Sequence, residues 1–167
     1  MQLTLAATCS DVPRPPAPAP ADVRVVPAAA QLAPTLGLLG WRAYGPDVLE
    51  VAGPDEVAQE MADAFAGSFG PLAPDASPVA LDATTGLPVA AVLTVSAAPW
   101  ADVAGMPFVI DVMTDPSWRR RGLARYLMTT AVAALAATGA RQVGLRVDSD
   151  SVAVRLYTDL GFREHGT

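Results

Sequence analysis

The stretch Val112-Met113-Thr114-Asp115-Pro116-Ser117-Trp118-Arg119-Arg120-Arg121-Gly122-Leu123-Ala124 links an apolar run to an amphipathic one. Residues 106–114 are nearly all apolar except Asp111, which reads as a buried strand. Downstream, Leu123, Leu127, Ala131, Ala134, Leu135 and Thr138 repeat at helical spacing, and Gly139 follows as the stop. The loop between them therefore opens a helix. The first N–H groups of a helix have no intrahelical acceptor, and the helix dipole places positive potential there. Gly122 lets the backbone approach a ligand closely. Successive N–H groups can then converge on a diphosphate, with Arg119, Arg120, Arg121 and Arg125 supplying charge. A basic helix start without a ligand is the plainer alternative for such a loop taken alone.

Working outward, 143–147 alternates apolar and polar residues as a strand. Val152, Leu156 and Leu160 then recur every four residues on one face of a helix over 151–160. Strand–helix–strand–helix in so short a span implies a right-handed crossover between parallel strands. Toward the N-terminus, 23–26 reads as a strand, and 28–39 and 54–69 read as helices. The runs 79–81 and 89–95 flank a hairpin turn around Thr84-Thr85-Gly86. Residues 11–22 form a Pro/Ala segment expected to be extended polyproline II. This arm separates a strand candidate, Gln2–Thr8, from a domain spanning 23–167; together, 1–22 read as strand candidate plus arm.

Composition narrows the chemistry. All 11 basic residues are arginines, which removes a Walker lysine, a pyridoxal Schiff base and any lysine nucleophile. One Cys and one His cannot form a Cys/His zinc site, so no metal is expected. The net charge of −6 is split: 43–118 holds eleven acids and no base, whereas 119–167 holds eight arginines against four acids. A middle this acidic repels nucleic acid, while the arginine block suits a compact phosphate ligand. No apolar run is long enough for a membrane span, and the first residues lack the basic region of a secretory signal. A cytoplasmic protein without membrane or nucleic-acid partners is the expectation.

Two motifs give these elements a family. The run 112–124 resembles motif A of the GNAT superfamily, the Gcn5-related N-acetyltransferases, in which a strand and a Pro precede Arg/Gln-x-x-Gly-x-Gly/Ala. The run Asp150-Ser151-Val152-Ala153-Val154-Arg155-Leu156-Tyr157-Thr158-Asp159-Leu160-Gly161-Phe162 resembles motif B, Asn-x-x-Ala-x-x-Leu-Tyr, three residues, then Gly-Phe. The resemblance is close over 106–162 and loose over 23–105. It implies an α/β (α+β) mixed sheet whose central parallel strands splay apart around acyl-CoA. It further implies that the backbone of Val112, Met113 and Thr114 bonds the acyl carbonyl and pantetheine. The N–H groups from Arg120 through Arg121, Gly122 and Leu123 to Ala124 would hold the pyrophosphate.

Two departures stand out. Asp150 replaces the usual Asn and cannot donate an amide hydrogen bond when ionised. It could cap the following helix, or Ser149 or Ser151 could take over the contact. The family also usually continues past Gly-Phe through a hairpin of two more strands, so Gln2–Thr8 is expected to fill a sheet position, in its own chain or exchanged within a homodimer.

The resemblance assigns Tyr157 as the acid that protonates the CoA sulfur, with acetyl-CoA as co-substrate. The Val112 N–H is the choice for the oxyanion donor. For the base, Asp111 is the only carboxylate on its strand, and burial should raise its pKa. Alternation nevertheless puts it opposite Val112, a direction that could point away from the reaction, and Glu60, Asp63 or a water chain are alternatives. Trp41, Tyr44 and Trp100 lie where the family selects its acceptor, and with the acidic middle they suit a cationic primary amine, either a small molecule or a peptide N-terminus. The alternatives are a GNAT-fold module that binds acyl-CoA without turnover, and an interaction protein.

Overall fold

The computed structural model describes residues 1–51 and 53–166. A single seven-stranded mixed sheet runs in the order β2-β3-β4-β5-β6-β1-β7. Its strands are β1 (Gln2–Thr8), β2 (Val23–Pro27), β3 (Pro78–Asp82), β4 (Pro88–Val95), β5 (Phe108–Thr114), β6 (Gln142–Asp148) and β7 (Arg163–Glu164). The helices are α1 (Ala33–Tyr44), α2 (Pro46–Leu49), α3 (Pro54–Phe65), α4 (Leu123–Ala137) and α5 (Ala153–Asp159). Strand β4 is buried along its whole length, as a central strand covered on both faces must be.

One face carries α4, whose Leu127, Met128 and Ala131 pack with Val92, Leu145 and Phe162. The other carries α1 and α3, where Leu36, Leu39, Val57 and Met61 pack on Val79, Leu93 and Met113. The α1–α3 crossing is close: a Cβ at Gly37 would lie 2.5 Å from Ala58 Cα, so only glycine fits. Helix α1 starts and ends five residues later than the pattern suggested. Pro34 sits in its first turn, where its missing N–H costs nothing, and Gly45 at φ 76° ends it. Helix α3 likewise stops at Phe65 rather than 69.

Strand β1 pairs with β6 over its full length, from Gln2 opposite Asp148 to Thr8 opposite Gln142, and its other edge receives β7. It occupies this sheet position within its own chain. Leu5 and Ala7 are buried, and Cys9 and Val12 continue the same core beneath α4.

The sheet opens at its centre. Strands β5 and β6 are parallel and pair at Phe108–Gly144 and Val109–Leu145, after which they part. The cause lies on the opposite edge of β5. Leu93 pairs with Asp111 but Thr94 pairs with Val109, so Ile110 has no partner on β4. A bulge of this kind bends its strand and increases local twist, which swings 110–114 away from β6. Among the described residues, no helix is long and apolar enough to cross a membrane.

Candidate active site

The parted strands leave backbone groups unpaired. Asp115 donates its N–H to Val89, so the odd positions of β5 face β4, and Met113 pairs opposite Ala91. The N–H and C=O of alternate residues point to opposite edges. Val112 and Thr114 therefore present theirs to the splay, whereas those of Met113 are turned to β4. Of the three positions expected to offer backbone to a ligand, Met113 is thus corrected to a ladder and core residue. Its side chain is buried under α1 and α3.

The loop after β5 is built around two left-handed residues, Arg120 at φ 62° and Gly122 at φ 75°. A Cβ on Gly122 would meet nothing within 4 Å, so glycine serves the backbone turn and leaves open space above it. Gly122 is also the N-cap of α4, and no side chain caps the helix there. Its leading N–H groups thus face a cleft of about 510 Å³ lined by Thr114, Arg119, Arg120, Ala124, Arg125 and Tyr157. Neighbouring chain fixes this loop. Asp115 accepts from the Ser117 N–H at 2.9 Å and from Arg42 Nε at 2.7 Å, and Arg119 donates to the Ala43 carbonyl at 2.7 Å. Both arginines tie it to the end of α1. Arg125 is 3.7 Å from Asp159, and Arg121 lies over the Trp118 ring. A convergent N–H cradle beside exposed guanidinium groups fits a diphosphate.

Where the strands part, a second cavity of about 550 Å³ brings Tyr44, Asp111, Val112 and Tyr157 together. Asp111 does share the α1–α3 face with Met113, as alternation requires. That direction does not remove it from the cleft, because Asp111 also lines a third cavity, of about 330 Å³, on that face. Burial pushes the Asp111 carboxyl up to about 6, opposed by a hydrogen bond from Tyr44 and reinforced by the nearby charge of Glu60. The Tyr44 hydroxyl contacts Asp111 Oδ1 and lies 2.8 Å from the Val112 carbonyl oxygen. Tyr157 is buried against Phe162, and burial, then the charge of Asp111, push its phenol up to about 12.

The third cavity is lined by Glu60, Met61, Trp100, Phe108, Asp111 and Arg146, among others. Arg146 donates to both oxygens of Asp102 at 2.8 Å and stacks over the Trp100 ring at 5.0 Å. Glu60 thus reaches this cavity, while Asp63 accepts from Gln59 on the surface of α3. Trp41 packs in the α1–α3 core instead. Helix α5 begins at Ala153 with Val152 as its N-cap and no side-chain cap, so Asp150 does not cap it, and the Ala153 N–H donates to Ser151 Oγ at 3.2 Å. Asp150 is exposed at the rim of the second cavity. Sequence reasoning missed Gln2, which lines both the second and third cavities from β1, and Arg146. Neither carries a motif; only the strand pairing brings them there.

A mixed sheet opened between two parallel central strands, with an uncapped helix start at the mouth, defines the acyl-CoA N-acyltransferase fold. Residues 85–164, just under half of the chain, match the model of the acetyltransferase (GNAT) domain. A GCN5-related N-acetyltransferase from Sphaerobacter thermophilus superposes with a TM-score of 0.71 at 21% identity, over 98% of this chain and 48% of that one. A tandem GNAT protein from the clavulanic acid biosynthesis pathway gives 0.67 at 13% identity, over 98% of this chain and 50% of its own. A PaiA N-acetyltransferase from Thermoplasma acidophilum, in complex with coenzyme A, gives 0.63 at 11% identity, over 87% and 92% of the two chains. The chain spans about half the length of the first solved structures it matches. No curated protein matches it.

Proposed function

We propose that the chain transfers an acetyl group from acetyl-CoA to a cationic primary amine. The observation that carries this reading is the meeting of Asp111, Val112 and Tyr157 in one cavity where β5 and β6 part. That cavity shares Tyr157 with the diphosphate cradle and Asp111 with the third cavity on the α1–α3 face. Two reactants can then enter from opposite sides of the sheet and meet at its opening, which is the positioning a bimolecular transfer requires.

Acetyl-CoA supplies a thioester whose carbonyl carbon is attacked by the amine and whose sulfur leaves. The N–H groups at the start of α4 and Arg119, Arg120 and Arg125 would bind its diphosphate. Val112 and Thr114 offer strand backbone to the pantetheine arm, in the manner of an added strand, and the Val112 N–H is placed to stabilise developing negative charge on the acyl oxygen. The reacting nitrogen enters as the free amine, its ammonium proton already lost to solvent while the rest of the acceptor carries the positive charge. The Asp111 carboxylate accepts the proton that this nitrogen sheds as it attacks the carbonyl carbon. The raised pKa of that carboxylate keeps it mostly ionised at pH 7 yet basic enough for the task. The Tyr157 hydroxyl donates a proton to the departing sulfur and is reprotonated from solvent, while Asp111 releases its proton there. The net result is an amide and a free thiol.

Glu60 and Asp111 place two acids in the acceptor pocket, and Asp102 neutralises Arg146. This balance favours a cationic acceptor whose body packs on Trp100 and Phe108. A small amine suits the volume of the pocket better than a peptide N-terminus. Thiol release from acetyl-CoA with a panel of polyamines, amino sugars, amino acid amides and short peptides tests the reading. It is refuted if the protein binds acetyl-CoA but no amine releases thiol, the outcome expected of a binding module. Absence of acetyl-CoA binding would favour an interaction protein.

A further inference from the structure

One partly buried group of the central cavity has no part in this mechanism. The Tyr44 hydroxyl faces two acceptors, Asp111 Oδ1 and the Val112 carbonyl oxygen, the latter at 2.8 Å. A phenol has one proton, while an ionised carboxylate and a carbonyl can only accept. Both contacts can be hydrogen bonds only when Asp111 is protonated on Oδ1 and donates to Tyr44, which then donates to Val112. With Asp111 ionised, the hydroxyl must serve one of them. The carboxylate wins, because a charge-assisted bond is roughly twice as strong as a neutral one. The Val112 carbonyl, on the edge that β6 has left, then loses this donor.

We propose that Tyr44 is the positioning residue for the base, its hydroxyl proton holding the ionised Asp111 and swinging to the Val112 carbonyl once Asp111 has taken the acceptor's proton. The inference deepens the acetyltransferase reading and rests on Asp111 acting there as base. In the step, an N–H bond of the acceptor breaks and an O–H bond forms on Asp111. Tyr44 breaks no covalent bond; its O–H only rotates about the phenolic C–O axis. Each protonation state of Asp111 then has a hydrogen-bonding arrangement that costs little to enter.

The groups facing Asp111 come from four elements. They are Tyr44 at the end of α1, Glu60 on α3, Tyr157 on α5, and Arg146 on β6, which lines the same two cavities as Asp111 and is held by Asp102. Burial and Glu60 push the Asp111 carboxyl up, and the Tyr44 hydrogen bond pulls it down. Removing the hydroxyl should therefore raise the pH at which Asp111 ionises. Removing the Tyr157 hydroxyl should not, since no hydrogen bond from Tyr157 to Asp111 contributes to its shift.

The experiment follows kcat/KM for thiol release against pH, with one active amine whose own pKa lies above the range. Parent, Tyr44→Phe, Tyr44→Met and Tyr157→Phe are compared. Both Tyr44 variants should move the acid limb up by about half a pH unit or more, as loss of one hydrogen bond to a carboxylate requires. Tyr157→Phe should lower the plateau and leave the limb in place. A limb unmoved in both Tyr44 variants, with any loss spread evenly over pH, overturns the proposal and reduces Tyr44 to packing. If the parent releases no thiol with any amine, the acetyltransferase reading fails instead. Carbon-13 NMR titration of the Asp111 carboxyl then tests Tyr44 alone: a raised midpoint in Tyr44→Phe supports it, and an unchanged midpoint overturns it.

Discussion

On the side of the cleft proposed for the diphosphate, the polar groups come from the consecutive stretch 112–124 and are mostly backbone. On the acceptor side they are side chains from positions far apart in sequence, Tyr44 meeting Asp111 and Asp102 meeting Arg146. Backbone groups held by a strand end and a helix start are placed by local conformation, and many side chains there can change without loss. Side chains gathered from α1, α3, β5 and β6 are placed by the whole sheet, and each matters singly. The first side suits a ligand common to many proteins, the second a ligand particular to this one.

The largest effect is expected from a strand that completes the sheet carrying both sides. Deleting residues 1–20 removes β1, exposes the full edge of β6 and leaves β7 without a partner. It also strips Leu5, Ala7, Cys9 and Val12 from the core. Unpaired ladder groups next to a buried face are costly. The melting temperature should fall by about 10 °C or more, the shift expected for a loss of several kcal/mol. Calorimetry checks this, and an unchanged melt would mean that the sheet closes without β1.

Next in size is a substitution that separates activity from stability on the acceptor side. Asp111→Asn should lower kcat by about 10²–10⁴-fold, the span ascribed to general base catalysis. The folded pKa of Asp111, about 6, lies above its unfolded value, so folding favours the protonated form. The stability it contributes is complete below the unfolded pKa near 4 and is lost as pH rises through 6. The neutral Asn avoids that loss. At pH 8 the variant should therefore be more stable than the parent by about 1–3 kcal/mol, and the gain should vanish near pH 3. Denaturant melts at the two pH values decide it. A variant less stable at pH 8 would show that the Asp111 carboxylate is not strained by burial.

The comparison also explains what could be read without coordinates. The strand expected over 106–114, found as Phe108–Thr114, and helix α4 are legible because each follows from neighbours in sequence, an apolar run and a helical repeat. Tyr157, by contrast, is singled out only by the resemblance to motif B. The splay is expected only from the resemblance to the GNAT motifs, since its local cause, Ile110 lacking a partner on β4, lies in the pairing of two strands. The direction of Asp111 was not legible, since its alternation was clear but its surroundings depend on where Tyr44 lands. Helix α1 starts later than its apolar repeat alone suggests, because Pro34 is not accommodated in a helix interior and marks the first turn. Gln2–Thr8 showed strand alternation, but its partner β6 lies at the other end of the chain, and pairing so distant leaves no local trace.

A smaller effect is expected on the backbone-built side. Gly122→Glu forces a side chain onto a residue at φ 75° and adds a negative charge at the helix start. Acetyl-CoA binding should weaken about tenfold or more, roughly 1.4 kcal/mol, with the fold retained. Calorimetry reads the affinity, and a variant that binds like the parent would remove the cradle assignment. Gly122→Ala, which adds no charge and meets no neighbour, should lose less. A loss equal to that of Glu would locate the effect in backbone conformation alone.

The smallest effect concerns how the acceptor is drawn in. Glu60 is exposed at the pocket while Asp111 is half-buried, and the pair Arg146–Asp102 contributes no net charge. Two uncompensated acids at one mouth should attract a cation over a distance comparable to the Debye length, about 10 Å at 0.1 M salt. For a diamine acceptor, kcat/KM should fall a few-fold as salt rises from about 0.05 to 0.5 M, with kcat nearly constant, because screening acts on encounter rather than on chemistry. A monoamine should show a shallower slope. Glu60→Gln should flatten the diamine profile toward that of the monoamine. The charge would have to act through Glu60 for this to happen, since Asp111 is still present in the variant. A flat profile in the parent, or faster turnover of anionic amines, would show instead that Arg146 escapes Asp102 and selects the acceptor.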